Sequence, residues 1–551
     1  EQLQALRRLL NKQQSRLQYR PAPEELQAAL AVATRLISTF GQAPPPDLEK
    51  ICQEAPLHLM RFEPKQEKHL QQVYAVFLEV LRESQGHFKQ NTVHILCNTE
   101  AYGKIEIAIS DTRYSEQYTH YLSRNIRYLR PYQPFYITHI EALDEQHWLS
   151  TRDSLLIASP DYLIDVSSVA KCVSMKGASP YLYLLGKLKS FSGNAATIAG
   201  NLANEMLDLL VAQPQLSFDA ALRLAFEGQA LDCALLGNEE LRGIKQSLAE
   251  QFTTLQACLA PIREAHITTE PSFVSSLYGL QGRLDVLIEY PPQEGLELRK
   301  DIYELKSSGN PANMGRIAYE DQLVQVACYN LMIDSTFPER NGVSAILYSK
   351  DKLHPLRDCG RLDFQKHRAM MLRNRIVSLD YELASSNAKV FEHLLSELRK
   401  AEVPAFSLKD AEWFQAHWQQ ASPLSKAYFM AFVGLVAREM ISAKVGGTTR
   451  QEGNYYGFAG LWKSNIEQKN ANFSILHNLT FENLEVESQK IIFRRHDSQV
   501  VAFRQGDIVL LYPHNQEEAS PLRQQLIKGH ISEVPAAYVV RRRRRQGVVV
   551  G

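Results

Sequence analysis

The fold of this chain is decided by two short segments, Gly282-Arg283-Leu284-Asp285-Val286-Leu287-Ile288 and Asp301-Ile302-Tyr303-Glu304-Leu305-Lys306. Both are apolar enough to be buried strands, and a Pro/Gly-rich stretch at 290–295 separates them. We therefore predict a hairpin of two adjacent strands. Because side chains alternate between the faces of a strand, Glu304 and Lys306 should share one face, with Asp285 beside them.

The predicted hairpin carries the ligand types of a divalent-metal site. Asp285, Glu304 and the backbone carbonyl of Leu305 would form a hard, all-oxygen site, which suits Mg²⁺ or Mn²⁺. Such an ion polarises a phosphate and generates hydroxide from water, while Lys306 would orient that water or stabilise the developing charge. A solvated carboxylate and lysine on an edge strand is the plainer interpretation of Glu-x-Lys by itself. The aspartate on the neighbouring strand favours the metal site of a nuclease.

A helix is predicted after the hairpin, over residues 322–332. Spacings of i, i+3 and i+7 place Gln322, Gln325 and Tyr329 on one face. Apolar residues occupy the rest of this segment, so we expect the helix to pack on the sheet with its polar stripe facing a phosphate backbone. An ordinary surface stripe is the alternative that the helix alone leaves open.

Together these motifs resemble the RecB-type branch of the PD-(D/E)xK nuclease superfamily, through residues 279–285, Glu304-Leu305-Lys306 and the spacing Gln325-x3-Tyr329. Upstream, residues 161–172 are similar to the lead-in of the nuclease domain in the nuclease-helicase family of DNA replication and end resection, which has bacterial relatives. The resemblance implies an α/β fold: a restriction-endonuclease-like core with accessory helical and small β-barrel domains. It also implies hydrolysis of phosphodiester bonds in DNA ends, flaps or single strands, in repair, replication or anti-phage defence.

The same resemblance implies roles for individual residues. Asp285 and Glu304 would hold the metal, and Lys306 would activate water. Gln325 and Tyr329 would position the scissile strand. Residues 200–205 match Gly-x3-His-Glu on the family's first nuclease helix, except that Asn204 stands in place of the histidine. Asn204 could complete the metal site through its amide oxygen but not through a ring nitrogen. This departure leaves open a non-catalytic DNA-binding clamp that serves a superfamily 1 helicase.

The seven cysteines include no C-x-x-C pair. Relatives of the resembled family often carry a four-cysteine iron–sulfur cluster, with one ligand upstream of the nuclease motifs and three downstream. Cys172 matches the upstream position, but only Cys359 is available downstream. We therefore expect no cluster and a buried Cys172; an iron–sulfur exonuclease remains a third possibility. The unpaired cysteines indicate a reducing compartment, and with the bacterial relatives they predict a cytoplasmic protein.

Composition bounds the kind of DNA binding to expect. The chain has 61 Lys and Arg against 61 Asp and Glu, so its formal net charge is zero. Attraction to nucleic acid must therefore come from local patches. No stretch reaches the roughly 18 uninterrupted apolar residues of a membrane span, so no membrane partner is predicted, and the oligomeric state stays open.

The order of patterns along the 551 residues predicts several domains. The five predicted regions are a helical accessory region at 1–90, a small β-rich domain of oligonucleotide-binding type at 91–165, the nuclease domain at 166–400, a helical stalk at 401–470 and a β-barrel at 471–551. Residues 503–509, Phe-Arg-x-Gly-Asp-x-Val, are similar to the barrel that precedes the motor of superfamily 1B helicases. The chain has no G-x-x-x-x-G-K-[ST] loop, so we expect any helicase motor to lie beyond residue 551 of a longer polypeptide.

Aromatic and basic residues alternate between positions 124 and 136. They are Arg124, Arg127, Tyr128, Arg130, Tyr132, Phe135 and Tyr136. Such a set could stack on the bases and pair with the phosphates of single-stranded DNA. Aromatic residues of a β core beside solvated arginines are an equally good interpretation.

Overall fold

The structure is a computed structural model. It describes residues 2–3, 5–6, 9–10, 21–40, 46–60, 69–85, 91–114, 119–174, 176–189, 194–291, 298–307, 317–446, 457–485, 490–495, 502–513, 520–533 and 537–542. The chain is mixed α/β and divides into two compact units, Glu1–Ser159 and Pro160–Gly551.

The first unit is built on a β-barrel. Its helices are α1 (Pro23–Thr39), α2 (Pro46–Gln53) and the 3-10 helices Leu57–Met60 and Leu122–Tyr128. Its strands are β1 (His69–Gln85), β2 (Asn91–Thr99), β3 (Gly103–Ser110), β4 (Thr112–Arg113), β5 (Thr119–His120), β6 (Pro134–Ala142), β7 (His147–Ser150) and β8 (Leu156–Ala158). Six of them form a sheet in the order β1-β2-β3-β7-β6-β8, and β1 also pairs with β6. This extra pairing closes five strands into a ring around a core of Ile95, Ile107, Phe135 and Trp148.

Strand β1 corrects the prediction that residues 1–90 are helical. Val73, Ala75 and Phe77 are buried at every second position, which is the period of a strand rather than a helix. The pairing of β1 with β2 shifts register twice, between Phe77 and Glu79 and again further on. Such bulges bend a strand, and they allow β1 to curve around the barrel and reach both neighbours. The barrel therefore begins at His69, before the predicted boundary at residue 91.

The second unit contains a five-stranded mixed sheet in the order β10-β13-β14-β15-β16. Along the chain its first strands are β9 (Ile164–Asp165), β10 (His266–Thr269), β11 (Ser272–Ser275), β12 (Leu280–Arg283), β13 (Val286–Glu289), β14 (Lys300–Lys306), β15 (Ser344–Tyr348) and β16 (Leu356–Asp358). The predicted pairing of the two strands is confirmed, since β13 and β14 run antiparallel with Val286 opposite Tyr303. Most of the turn predicted at 290–295 lies outside the described residues. Strand β14 pairs in parallel with β15 on its other side.

Helices cover both faces of this sheet. The helices of this part of the chain are, in order, α3 (Val166–Ala170), α4 (Tyr181–Leu188), α5 (Ala195–Ala212), α6 (Phe218–Gly228), α7 (Ala230–Cys233), α8 (Asn238–Leu259), a 3-10 turn (Ala260–Ile262) and α9 (Glu320–Thr336). On one face, α5 and α8 pack against Val286, Ile288 and Leu305. On the other, α9 packs against Ile346 and Tyr348. The strands are therefore buried on both sides, which explains why their sequences are almost continuously apolar.

The helices that follow form one further hydrophobic cluster. They are α10 (Asp363–Ala384), α11 (Lys389–Lys400), α12 (Ala405–Gln420) and α13 (Pro423–Val445). Phe391, Trp418 and Met430, from three of these helices, share a core with Leu184 of α4. This core crosses the boundary predicted at residue 400, so packing does not separate a stalk from the helices before it.

The C-terminal part of the second unit is a five-stranded sheet in the order β17-β18-β21-β20-β19. Its elements are the 3-10 turns Gly457–Ala459 and Pro521–Arg523, helices α14 (Gly460–Lys463) and α15 (Ile466–Ala471), and strands β17 (Leu479–Glu485), β18 (Lys490–Arg495), β19 (Ile508–Leu511), β20 (Ile527–Glu533) and β21 (Ala537–Arg542). Gly506, within the barrel-like segment 503–509, has a φ of +92°, a conformation that favours glycine. Across the described residues, no helix is both long and apolar enough to cross a membrane.

Candidate functional site

The paired strands β13 and β14 bring the predicted metal ligands together. Asp285 immediately precedes β13 and accepts a hydrogen bond from the backbone N–H of Leu305, with 2.7 Å between nitrogen and oxygen. Glu304 is only 3% exposed, and Lys306 Nζ donates to its Oε1 at 2.7 Å. Asp285, Glu304 and Lys306 thus lie at one end of the hairpin.

Helix α9 supports Lys306 from the other side. Lys306 Nζ also donates to Oε1 of Gln325 at 3.0 Å, and the amide of Gln325 donates to the Tyr329 hydroxyl at 3.2 Å. That hydroxyl donates in turn to the backbone carbonyl of Arg283 at 2.8 Å. The i, i+4 spacing of the two helix residues makes this relay possible, and it runs from the lysine back to the chain leading into Asp285.

The polar stripe of α9 faces the sheet, not an open phosphate-binding surface. Tyr329 is 4% exposed and its hydroxyl holds a backbone carbonyl. Gln322 is also buried, and it accepts a hydrogen bond from the hydroxyl of Tyr348. The geometry therefore places the Tyr329 hydroxyl against the chain that precedes Asp285. Its predicted role in positioning the scissile strand stays a prediction.

Burial dominates the electrostatics of the two carboxylates. It raises the pKa of Glu304 to about 8, with the neighbouring Asp285 adding to the shift and Lys306 opposing it. Burial also raises the pKa of Asp285, against the effects of Lys306 and the Leu305 amide. Burial by itself lowers the pKa of Lys306. The charges of Glu304 and Asp285 outweigh this effect and raise the lysine pKa above its ordinary value. The lysine is therefore held charged beside a carboxylate pair that resists double ionisation.

One carboxylate oxygen of the pair tests whether a cation fits between the two side chains. Oε2 of Glu304 is buried and has no hydrogen-bond partner among the described residues. A buried polar atom left unpaired is costly, and a divalent cation between Asp285 and Glu304 would satisfy it. The two carboxylates thus fit Mg²⁺ or Mn²⁺, with the Leu305 carbonyl as the further predicted ligand. Within the described ranges, no three His, Cys, Asp or Glu side chains form a ready-made metal site.

Asn204 is not tied to this pair. It lies half-buried on α5. Among the described residues, no hydrogen bond joins it to Asp285 or Glu304. Its predicted place in the metal's ligand set stays a prediction.

Two acidic residues near the site, Asp208 and Glu270, were missed from the sequence. Burial, followed by the charges of Glu270, Glu205 and Asp285, raises the pKa of Asp208 well above its ordinary value. Asp208 lies on α5 one turn after Asn204, so both residues face the same side of the helix. The i, i+4 spacing of Asn204 and Asp208 is visible in the sequence. The matched family motif ends at residue 205, however, so Asp208 was not included.

Glu270 is bound directly to the lead-in of β13. Its backbone N–H donates to the carbonyl of Asp285 at 2.9 Å, and its carboxylate pairs with Arg283 at 2.9 Å. Glu270 also has a φ of +51°, which is unusual for a residue with a side chain. Strained backbone of this kind persists where the surroundings enforce it, often at functional sites.

Cys172 is part of the core, as predicted. Cys172 is fully buried, its thiol donates to the Ser168 carbonyl at 3.3 Å, and burial raises its pKa to about 12.

Comparison of the chain with protein-family models and with curated proteins gives no match.

Proposed function

We propose that this chain is a metal-dependent deoxyribonuclease of the PD-(D/E)xK type, acting on DNA ends, flaps or single strands. The observation that carries the proposal is the meeting of Asp285, Glu304 and Lys306 on paired strands, with one oxygen of Glu304 buried and unpaired. Bound Mg²⁺ or Mn²⁺ would supply Lewis-acid activation of the phosphate and of water. The mixed sheet between two helical layers supports the proposal at the level of fold class.

Residues of the chain itself would have separate roles around the scissile phosphate. The Leu305 N–H donates to the Asp285 carboxylate and holds it in place. The Tyr329 hydroxyl donates to the Arg283 carbonyl and so fixes the chain that precedes Asp285. Lys306 is oriented by Glu304 and Gln325 and is kept protonated by the carboxylates. A charged lysine there orients the attacking water and stabilises negative charge that develops on the phosphate oxygens.

The test is cleavage of labelled single-stranded, flap and duplex DNA by the full chain with Mg²⁺ or Mn²⁺. Lys306→Ala should lower kcat by at least about 100-fold, because it removes a preorganised charge from the transition state. Lys300→Ala is the matched control, since Lys300 lies at the other end of β14 and pairs with Glu289. Cleavage that is equal in the wild type and in Lys306→Ala would reject the proposal.

A second candidate is a DNA-binding clamp that guides a superfamily 1 helicase motor in the same polypeptide. It is favoured by Asn204, which replaces the expected imidazole and makes no described hydrogen bond to the carboxylates. DNA binding without cleavage in either metal would support this candidate over the nuclease.

A further inference from the structure

The 3-10 helix Leu122–Tyr128 of the first unit presents a row of basic and aromatic side chains to solvent. In a 3-10 helix, residues three apart lie directly above one another. Tyr121, Arg124 and Arg127 are all exposed and follow this spacing, while Leu122 and Ile126 are buried in the barrel core. The burial pattern thus fixes which side of the helix faces outward, and that side is cationic.

Contacts within the row keep its groups ordered. The Arg124 guanidinium lies 3.5 Å from the ring centre of Tyr121, and Arg127 Nε donates to the Arg124 carbonyl at 3.0 Å. Neither arginine forms an ion pair with a described residue. Asp111, a carboxylate that contacts this helix, is 3% exposed and accepts from the Ser123 N–H at 3.0 Å, so it caps the helix from inside.

An exposed tyrosine follows the helix along the chain. Tyr132 is 79% exposed and has a φ of +66°. It occupies the third position of a turn that Gln133 N–H closes on the Arg130 carbonyl at 3.0 Å, with Pro131 at the second position. Such a turn ordinarily carries glycine or asparagine at that place. The backbone N–H of Tyr132 donates to the Phe77 carbonyl at 2.7 Å, whereas its ring is exposed to solvent and contributes little buried area to the fold.

We propose that Tyr121, Arg124, Arg127 and Tyr132 form a binding strip for single-stranded nucleic acid. Residues three apart in a 3-10 helix, such as Arg124 and Arg127, are separated by about 6 Å along its axis. This is close to the distance between neighbouring phosphates of one strand. The two unpaired arginines match two phosphates, and the exposed rings offer stacking surfaces to unpaired bases. A duplex hides the faces of its bases, and an acidic peptide has none, so the rings select the single strand. The strip does not depend on the metal site.

The test measures binding of the full chain to labelled oligothymidylate longer than about 16 nucleotides, in EDTA so that no cleavage occurs. Arg124→Ala/Arg127→Ala should weaken binding at least tenfold and lower the slope of log affinity against log salt by about 1.4, the value for two phosphates on a single strand. The matched control, Arg35→Ala/Lys104→Ala, removes two exposed charges elsewhere in the same unit. An unchanged slope, or an equal loss in the control, would overturn the proposal.

Tyr132→Asn separates binding from folding. Asparagine suits a positive φ, so the variant should unfold at the same or a higher temperature than the wild type. Losing the ring should nevertheless weaken single-strand binding about fivefold or more. Wild-type affinity in Tyr132→Asn, or equal competition by duplex DNA or an acidic peptide, would reduce the strip to a general cationic patch and reject it. Because EDTA removes the metal, these outcomes stay independent of whether Lys306→Ala abolishes cleavage.

Discussion

Glu304 is the residue that determines how the site responds to pH. Its pKa is raised from 4.5 to about 8, so the folded chain holds this proton more tightly than the unfolded chain does. In the metal-free protein, stability from this group is present below about 4.5 and is lost as the pH rises through about 8. We expect the free energy of unfolding to fall across that interval by on the order of 5 kcal/mol.

Chemical denaturation in EDTA at several pH values measures this effect. Glu304→Gln stays neutral and should give a flatter profile. Added Mg²⁺ should restore stability at the alkaline end, because the cation replaces the proton between Asp285 and Glu304. Identical pH profiles for the wild type and Glu304→Gln would contradict the assignment of the shift to this residue.

Tyr329 offers a second test at the residue scale. Tyr329→Phe keeps the buried ring but removes the hydroxyl that donates to the Arg283 carbonyl and accepts from Gln325. We expect a loss of about 1 kcal/mol in unfolding free energy, together with slower cleavage, since the chain before Asp285 loses its anchor. Tyr303→Phe is the control, because the hydroxyl of this buried tyrosine has no described hydrogen bond. Equal stability of the two variants in urea titrations would argue against the relay.

At the scale of elements, the junction between β12 and α10 is a tightly constrained part of the second unit. Arg373 of α10 is fully buried and donates to the carbonyls of Tyr162, at 2.7 Å, and Gly279, at 3.3 Å. Gly279 has a φ of +61°, and a Cβ there would lie 2.2 Å from Nη2 of Arg373. If the Arg373 guanidinium moved away from the added Cβ, both carbonyls would lose the hydrogen bond that it donates.

Gly279→Ala should therefore be strongly destabilising. Positive φ alone costs an alanine about 1–2 kcal/mol. The clash with Arg373 should add at least that much again, because overpacking in a core costs about 1–3 kcal/mol. Gly360→Ala isolates the backbone cost, since Gly360 has a φ of +56° and nothing within 4 Å of a Cβ. If denaturant titrations show the same loss for both variants, Arg373 is not the constraint proposed here.

Elements with a regular local pattern were predicted well from the sequence, and elements with competing patterns were not. The alternation in β13 and β14 and the helical spacing of α9 are visible in single segments, and the structure contains all three. Strand β1 was mistaken for helix, because its two register shifts interrupt the alternation of buried residues. Its partner β2 begins soon after it, at Asn91, but its other partner β6 begins only at Pro134, so no local pattern indicates the pairing that closes the barrel.

At the scale of the whole molecule, two compact units replace the five predicted regions. The first unit combines the end of the predicted helical region with the predicted β-rich domain, since β1 belongs to the barrel. In the second unit, the hydrophobic core shared by α4 and α10–α13 joins the predicted nuclease and stalk regions. Composition and turn signals mark changes of pattern, but only packing decides which neighbouring patterns share a core.

The sequence by itself determined the hairpin, its three polar side chains and the helix behind it, because strand alternation and helical spacing act over a few residues. Only the tertiary structure brought Asp208 and Glu270 toward Asp285, turned Tyr329 onto the Arg283 carbonyl and left one oxygen of Glu304 unpaired. These relations join segments that are far apart along the chain. Their energies depend on burial and on the distance between charges, which no spacing within one segment can express.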